Sequence, residues 1–145
     1  MGYMVDGVPY FYNDSVKCHT TETEFDVSSL KELPKVGVAY FTIDADPEIL
    51  DYYKESGVQG IVIAGAGSGC YSEQWNNKID ELAETGIPVV RCSRIGSGVI
   101  TQDDYFIGNI ARGNDLAPQK AATLLRLILT VTNDIEQVQN MFDKY

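Results

Sequence analysis

The run Gly60-Ile61-Val62-Ile63-Ala64-Gly65-Ala66-Gly67-Ser68-Gly69-Cys70 joins two signals of opposite kind. Its first five residues are an apolar stretch of strand length, and its second half is a glycine-rich turn. A helix is expected from about Ser72, where Trp75, Ile79, Leu82 and Ala83 recur at helical spacing, with Gly86 as its stop. Pro88 then opens another strand that runs through Cys92. Strand, glycine turn, helix and strand in that order form one βαβ unit.

Upstream, Val36 to Phe41 is a β-branched and aromatic run of strand length. Asp46-Pro47-Glu48 has the marks of a helix start: a capping acid, proline in the first turn and a further acid that suits the dipole. Ile49, Leu50 and Tyr53 form the inner face of that helix, and Gly57 ends it. Downstream, residues 93–113 are glycine-rich and irregular, with one strand expected around Tyr105 to Ile107. Pro118 starts a helix whose buried face is Ala121, Leu124, Leu125 and Ile128. A last helix is expected with Asn133 as cap, Glu136 completing a capping box, and Ile135, Val138, Met141 and Phe142 on its apolar face. Alternating strands and helices imply an α/β fold: a Rossmann-like three-layer domain with a small parallel sheet flanked by helices.

The first 34 residues follow a different pattern. Tyr3 to Val5 and Val8 to Tyr12 flank Asp6-Gly7, a strong hairpin signal, and Pro9 marks the second run as an edge strand. Residues 15–26 are polar, with a short extended run expected at Glu24 to Val27. Residues 28–34 have the composition of a linker, closed by Leu33-Pro34. Met-Gly-Tyr-Met-Val-Asp-Gly has neither a basic region nor an apolar signal core and reads as the inside of a hairpin. The expectation is that residues 1–27 are the end of a preceding domain whose remainder is missing, and that residues 35–145 are an α/β domain of their own.

Composition excludes several function classes. The chain has 145 residues and a formal net charge of −10, which repels nucleic acid and anionic membranes. No apolar run reaches the ~20 residues that span a bilayer. Cys18, Cys70 and Cys92 follow no metal-binding spacing, and His19 is the single histidine. No metal or cofactor is expected, and the cysteines read as buried free thiols.

In an open α/β sheet ligands bind beyond the C-terminal strand ends, where Gly65 to Gly69 falls. A dinucleotide fingerprint fails there, because its third glycine would fall on Cys70 and the acid expected ~20 residues on is absent. A P-loop fails because no Gly-Lys-Ser/Thr follows. His19 has no nucleophile pattern around it and reads as exposed or locally bonded, with nothing basic placed to activate Thr20 or Thr21. Cys70 at a helix start lacks a histidine partner for thiol catalysis. Asp103 and Asp104 are adjacent on an extended segment and so point to opposite sides, which makes a poor carboxylate pair.

Taken in order, the words His19-Thr20, Phe25-Asp26-Val27, Leu33-Pro34-Lys35-Val36-Gly37, Gly60-Ile61-Val62 and Ala64-Gly65-x-Gly67-x-Gly69 carry a resemblance. They continue through Val90-Arg91-x-Ser93-Arg94, Thr101-Gln102-Asp103, Pro118-Gln119-Lys120-Ala121 and the closing Phe142 and Tyr145. The ordered set resembles the L-asparaginases, especially the type II group, and covers essentially the whole chain.

That resemblance implies hydrolysis of L-asparagine, and more slowly of L-glutamine, by a threonine nucleophile in an N-terminal domain. The motifs of that domain, Thr-Gly-Gly-Thr and His-Gly-Thr-Asp-Thr, do not occur in these residues. It also implies a homo-oligomer, a periplasmic or secreted location, and a C-terminal domain that lends substrate-binding loops to a neighbouring active site. Ser68, Cys70, Asp104 and Tyr105 are the positions so implied, and none of them is catalytic. Cys70 stands where the family has asparagine. Tyr105 stands where it has a glutamate, a carboxylate that a phenol cannot replace at neutral pH, and Asp104 replaces it if the shorter loop slips by one residue. Ala117 stands in place of an asparagine helix cap. Two other readings are a stand-alone small-molecule-binding or interaction domain, and an asparaginase-like subunit of a tRNA-dependent amidotransferase, which the acidic charge disfavours.

Overall fold

A computed structural model describes residues 2–103, 105–106 and 108–145. Two strands, β1 (Gly2–Val5) and β2 (Val8–Phe11), form an antiparallel hairpin. Its turn places Asp6 at φ 49° and Gly7 at φ 81°, the left-handed pair that matches the twist of a two-residue hairpin. Tyr3 stacks on Tyr10 with ring centroids 5.3 Å apart. Every residue of both strands is exposed, so the hairpin buries no face of its own.

The second unit is a four-stranded parallel sheet, β3 (Val36–Tyr40), β4 (Gly60–Gly65), β5 (Val89–Ser93) and β6 (Ile110–Arg112), in spatial order β3-β4-β5-β6. Helices α1 (Ile49–Glu55) and α2 (Glu73–Glu84) are the first two crossovers, and α3 (Pro118–Ile128) and α4 (Ile135–Lys144) follow the last strand. Because the order advances in one direction, right-handed crossovers put α1 and α2 on the same face. Side-chain alternation along β4 shows the division. Ile61 and Ile63 pack with Leu50, Trp75, Ile79 and Leu82 on that face, whereas Val62 packs with Leu125, Ile128, Val138 and Phe142 on the other. Full burial of each such side chain stabilises the fold by roughly 1.5–3 kcal/mol. This is the three-layer α/β architecture expected from the sequence.

Several local expectations change. Helix α1 buries Leu50 and half-buries Tyr53, but Ile49 is 41% exposed and lies outside its inner face. Residues Glu24 to Val27 form no strand; Phe25 packs against Tyr145 with ring centroids 5.0 Å apart, so tertiary contact and not sheet pairing orders this stretch. The cap of α4 is Asp134, whose carboxylate accepts from Gln137 N at 3.0 Å, and not Asn133. Helix α3 starts at Ala117 with no side-chain cap, as its composition implied.

The fourth strand is Ile110–Arg112 and not the segment around Tyr105; Ile107 lies outside the described residues. The crossover from β5 to β6 should pass over the same face as α1 and α2, yet residues 94–109 carry no helix among those described. Phe106 fills the space a third helix would occupy, meeting Tyr71 edge-on at 4.8 Å and covering the Arg91 guanidinium at 4.1 Å. An aromatic in a β-rich composition gave the strand expectation, whereas the structure packs that aromatic, half-buried, against Tyr71 and Arg91.

Candidate functional site

The site is built from the loops at the C-terminal ends of the sheet. After β4 the chain folds back on itself. Ala66 and Cys70 exchange main-chain hydrogen bonds of 2.8 and 2.7 Å, and Gly67 and Gly69 take φ 52° and 84° between them. Those left-handed positions cost an L-residue roughly 1–2 kcal/mol each, which explains the glycines. Ser72 then caps α2, its hydroxyl accepting from Trp75 N at 3.4 Å. Ser68 and Cys70 are both exposed on this turn.

The segment from Thr101 to Phe106 lies beside it. Asp103 Oδ1 accepts from Tyr105 N at 2.9 Å, and Tyr105 is 52% exposed with its ring edge-on to Phe106 at 4.8 Å. Asp104, the alternative to Tyr105, lies outside the described residues. A cleft lined by Arg91, Gln102, Asp103, Phe106, Gly108 and Arg112 opens next to the segment.

Strand β5 joins these loops. Arg91 is 3% exposed, and its guanidinium donates to Ser68 O at 3.0 Å through Nη1 and to Thr101 O at 2.8 Å through Nη2. No carboxylate forms an ion pair with it among the described residues. Taking such a charge from water costs several kcal/mol. Two charge-assisted hydrogen bonds, worth about 1.5–3 kcal/mol each, and the Phe106 ring face, worth ~2 kcal/mol when desolvated, offset that cost. Burial lowers the Arg91 pKa, opposed by the acidic groups of Tyr71, Cys70 and Asp103. An arginine nevertheless stays charged at any pH compatible with folding. Further along, Ser93 Oγ donates to Gly67 O, Arg94 N donates to Gly65 O at 2.8 Å, and Arg94 Nη1 reaches Phe41 O at 2.7 Å. Arg91 and Ser93 of β5, with Arg94 directly after it, thus tie together the loops after β3, β4 and β5.

The sequence reading did not single out Arg91 as a functional position. Its signal was present: one charged residue inside Val89-Val90-Arg91-Cys92, a stretch otherwise apolar enough for a buried strand.

The cysteines differ from the expectation of three buried thiols. Cys92 is buried, Cys18 is half-buried and Cys70 is exposed. Burial pushes the Cys92 thiol up to about 12. Cys70 lies on a strand-end turn with main-chain partners only, and apolar packing does not reach it. Nor is Thr20 without a base: His19 Nδ1 stands 3.2 Å from Thr20 Oγ1, and Thr20 has φ 52°. Both side chains are exposed, and no third group orients the imidazole among the described residues, so the pair lacks the surroundings of an activated nucleophile. Tyr71, by contrast, has its hydroxyl buried without a partner among the described residues, and burial raises its pKa.

Known proteins share this fold and much of this sequence. A family model described as the glutaminase/asparaginase C-terminal domain matches residues 35–142. L-asparaginase 2 of Bacillus subtilis (strain 168) is 38% identical over 100% of this chain, which corresponds to 39% of that protein. L-asparaginase 2 of Escherichia coli (strain K12) is 40% identical over 100% of this chain and 42% of its own length. The crystal structure of a probable cytoplasmic L-asparaginase from Campylobacter jejuni superposes with a TM-score of 0.91 at 38% identity, over 99% of this chain and 46% of that one. The chain therefore spans about two-fifths of the curated relatives it matches. With four parallel strands, a glycine turn at the end of the second and a matching family model over residues 35–142, this chain belongs to the glutaminase/asparaginase C-terminal domain family.

Proposed function

We propose that this chain is the C-terminal part of an enzyme that hydrolyses L-asparagine, and L-glutamine as a second substrate, to the acid and ammonia. The observation that carries this reading is the exposed edge where the Ser68–Cys70 turn and the Thr101–Tyr105 segment meet, joined through Arg91. These loops hold the amino and carboxylate ends of a substrate whose attacking hydroxyl comes from a domain outside these residues. Ser68, Cys70, and Asp104 or Tyr105 are the substrate-binding positions; the chain needs no metal or cofactor for that role.

Residues 1–27 belong with that other domain, residues 28–34 are the linker, and residues 35–145 are the second domain. The hairpin supports this division, because an isolated pair of strands is at best marginally stable in water, and here Met4, Phe11 and Tyr12 are 65%, 69% and 73% exposed. A surface of that kind is covered when the preceding domain packs on it. The loops face a neighbouring subunit of a homo-oligomer, whose active site they complete.

The test replaces the matching segment of Bacillus subtilis L-asparaginase 2 with this chain and measures ammonia release from asparagine. The hybrid is expected to turn over, whereas the 145-residue chain alone is not. Turnover by the isolated chain would overturn the reading. In the hybrid, Asp104→Ala and Tyr105→Phe discriminate the two candidates for the ammonium contact; unchanged kinetic constants in both would remove this loop from the site.

A further inference from the structure

We propose that Arg91 is a positioning residue that ties the Ser68–Cys70 turn to the second loop at Thr101 and Phe106, so that both present to substrate in one fixed relation. The proposal rests on the functional reading above for the word substrate, and on the geometry alone for the coupling.

Arg91 sits on the middle of β5, and its side chain projects to the α1/α2 face where the sheet has no third helix. At 3% exposure Arg91 is almost wholly buried, at the wall of the cleft beside Gln102 and Asp103. A buried guanidinium ordinarily meets a carboxylate; among the described residues this one donates to two carbonyl oxygens, one from each loop, at 3.0 and 2.8 Å. The planar fork fixes the angle between its two N–H donors, so the two carbonyls are held at a fixed separation. Phe106 closes the remaining face at 4.1 Å, and Phe106 follows directly on the Thr101–Tyr105 segment. A displacement of either loop therefore leaves a buried charge short of a partner. A lysine could satisfy one carbonyl at a time as a point charge, but it lacks the fork.

Both bonds go to main-chain oxygens, which has a consequence for specificity. The Ser68 and Cys70 side chains play no part in those two bonds, so they are free to change without moving the turn. Cys70→Asn is expected to alter substrate affinity while leaving the turn in place. Because the guanidinium does not titrate, the coupling is constant across the pH range in which the chain folds.

The test has two arms. In the 145-residue chain, hydrogen exchange is followed at the amides of Cys70 and Arg94, which bond into the turn, and of Ile100 and Phe106, which bracket the second loop. Arg91→Lys is expected to accelerate exchange tenfold or more in both loops together, with β3 and β4 unchanged. Should Arg91→Lys fail to fold, Phe106→Leu weakens the same cover and carries the same expectation. Acceleration in one loop only, or in neither, overturns the coupling. In the hybrid enzyme, Arg91→Lys is expected to raise KM at least tenfold with a smaller change in kcat. Guanidinium ion is expected to restore part of that loss in Arg91→Ala. Equal loss in KM and kcat without rescue marks Arg91 as merely structural and overturns its positioning role. An unsubstituted hybrid that folds but does not turn over counts against the functional reading alone, and the exchange arm still decides the coupling.

Discussion

Ala66 and Cys70 bond to one another in both directions, closing a five-residue turn whose inner wall is the α-carbon of Gly65. A β-carbon on Gly65 would overlap the Gly69 carbonyl group and stand 2.8 Å from Cys70 O. At Gly67 nothing lies within 4 Å of the same position, and the residue is held only by its φ of 52°. The two glycines are thus needed for different reasons, one for room and one for backbone conformation.

Substitution separates them. Gly67→Ala is expected to cost about 1–2 kcal/mol, the left-handed penalty, and to leave the turn closed. Gly65→Ala is expected to cost about 3 kcal/mol, as in overpacked cores, and to break the Ala66–Cys70 pair. Urea unfolding gives the costs, and the exchange rate of the Cys70 amide reports whether the turn has opened. Equal behaviour of the two variants would refute the distinction.

Thiol reactivity should follow burial. With a disulfide reagent at pH 8, Cys70 is expected to react first, half-buried Cys18 more slowly, and Cys92 only after unfolding. Burial holds the Cys92 thiol up at about 12, so it carries almost no thiolate at that pH. Modification of Cys92 in the native chain at the rate of Cys70 would contradict the packing described here.

The C-terminus fastens the polar segment after the hairpin. Lys144 Nζ lies 2.7 Å from Glu24 Oε2, the Tyr145 hydroxyl donates to the same carboxylate, and Lys17 Nζ donates to Asp143 O at 3.0 Å. Lys144 first, and then Tyr145, lower the Glu24 pKa from 4.5 to about 2. A depressed carboxylate pKa contributes stability above its unfolded value that is lost as pH falls towards the folded one. Glu24→Gln should therefore lower Tm at pH 6, and its deficit should shrink between pH 4.5 and about 2. A deficit independent of pH would show that charge plays no part. The pair is exposed, so the effect is expected to be small and to weaken with salt.

Helix α3 begins at Ala117 with φ −62° and ψ 150°, a cap conformation without a cap side chain. Ala117→Asn is expected to stabilise the chain by ~1 kcal/mol, read from the urea midpoint at unchanged slope. No gain would mean that the first-turn amides of α3 already have partners.

Much of this architecture was legible before any coordinates. Apolar runs at Val36, Gly60 and Val89, separated by helical periodicities, carry their own period, and period is a local property of sequence. So too are the Asp6-Gly7 turn and the glycines after β4, whose backbone angles follow from residue type. The family resemblance was written in ordered short words and needed no fold. What sequence misassigned were segments whose partners are distant. Phe106 reads as strand until Tyr71 and Arg91 are seen beneath it. Glu24 to Val27 reads as extended until Lys144 and Tyr145 fold back on it. Arg91 reads as one charge in an apolar run, because its two partners are 23 and 10 residues away along the chain. Periodicity and turn chemistry act within a few residues and are encoded where they operate. The joining of two loops through one buried guanidinium depends on the packing of the whole sheet, and only the folded chain brings those groups together.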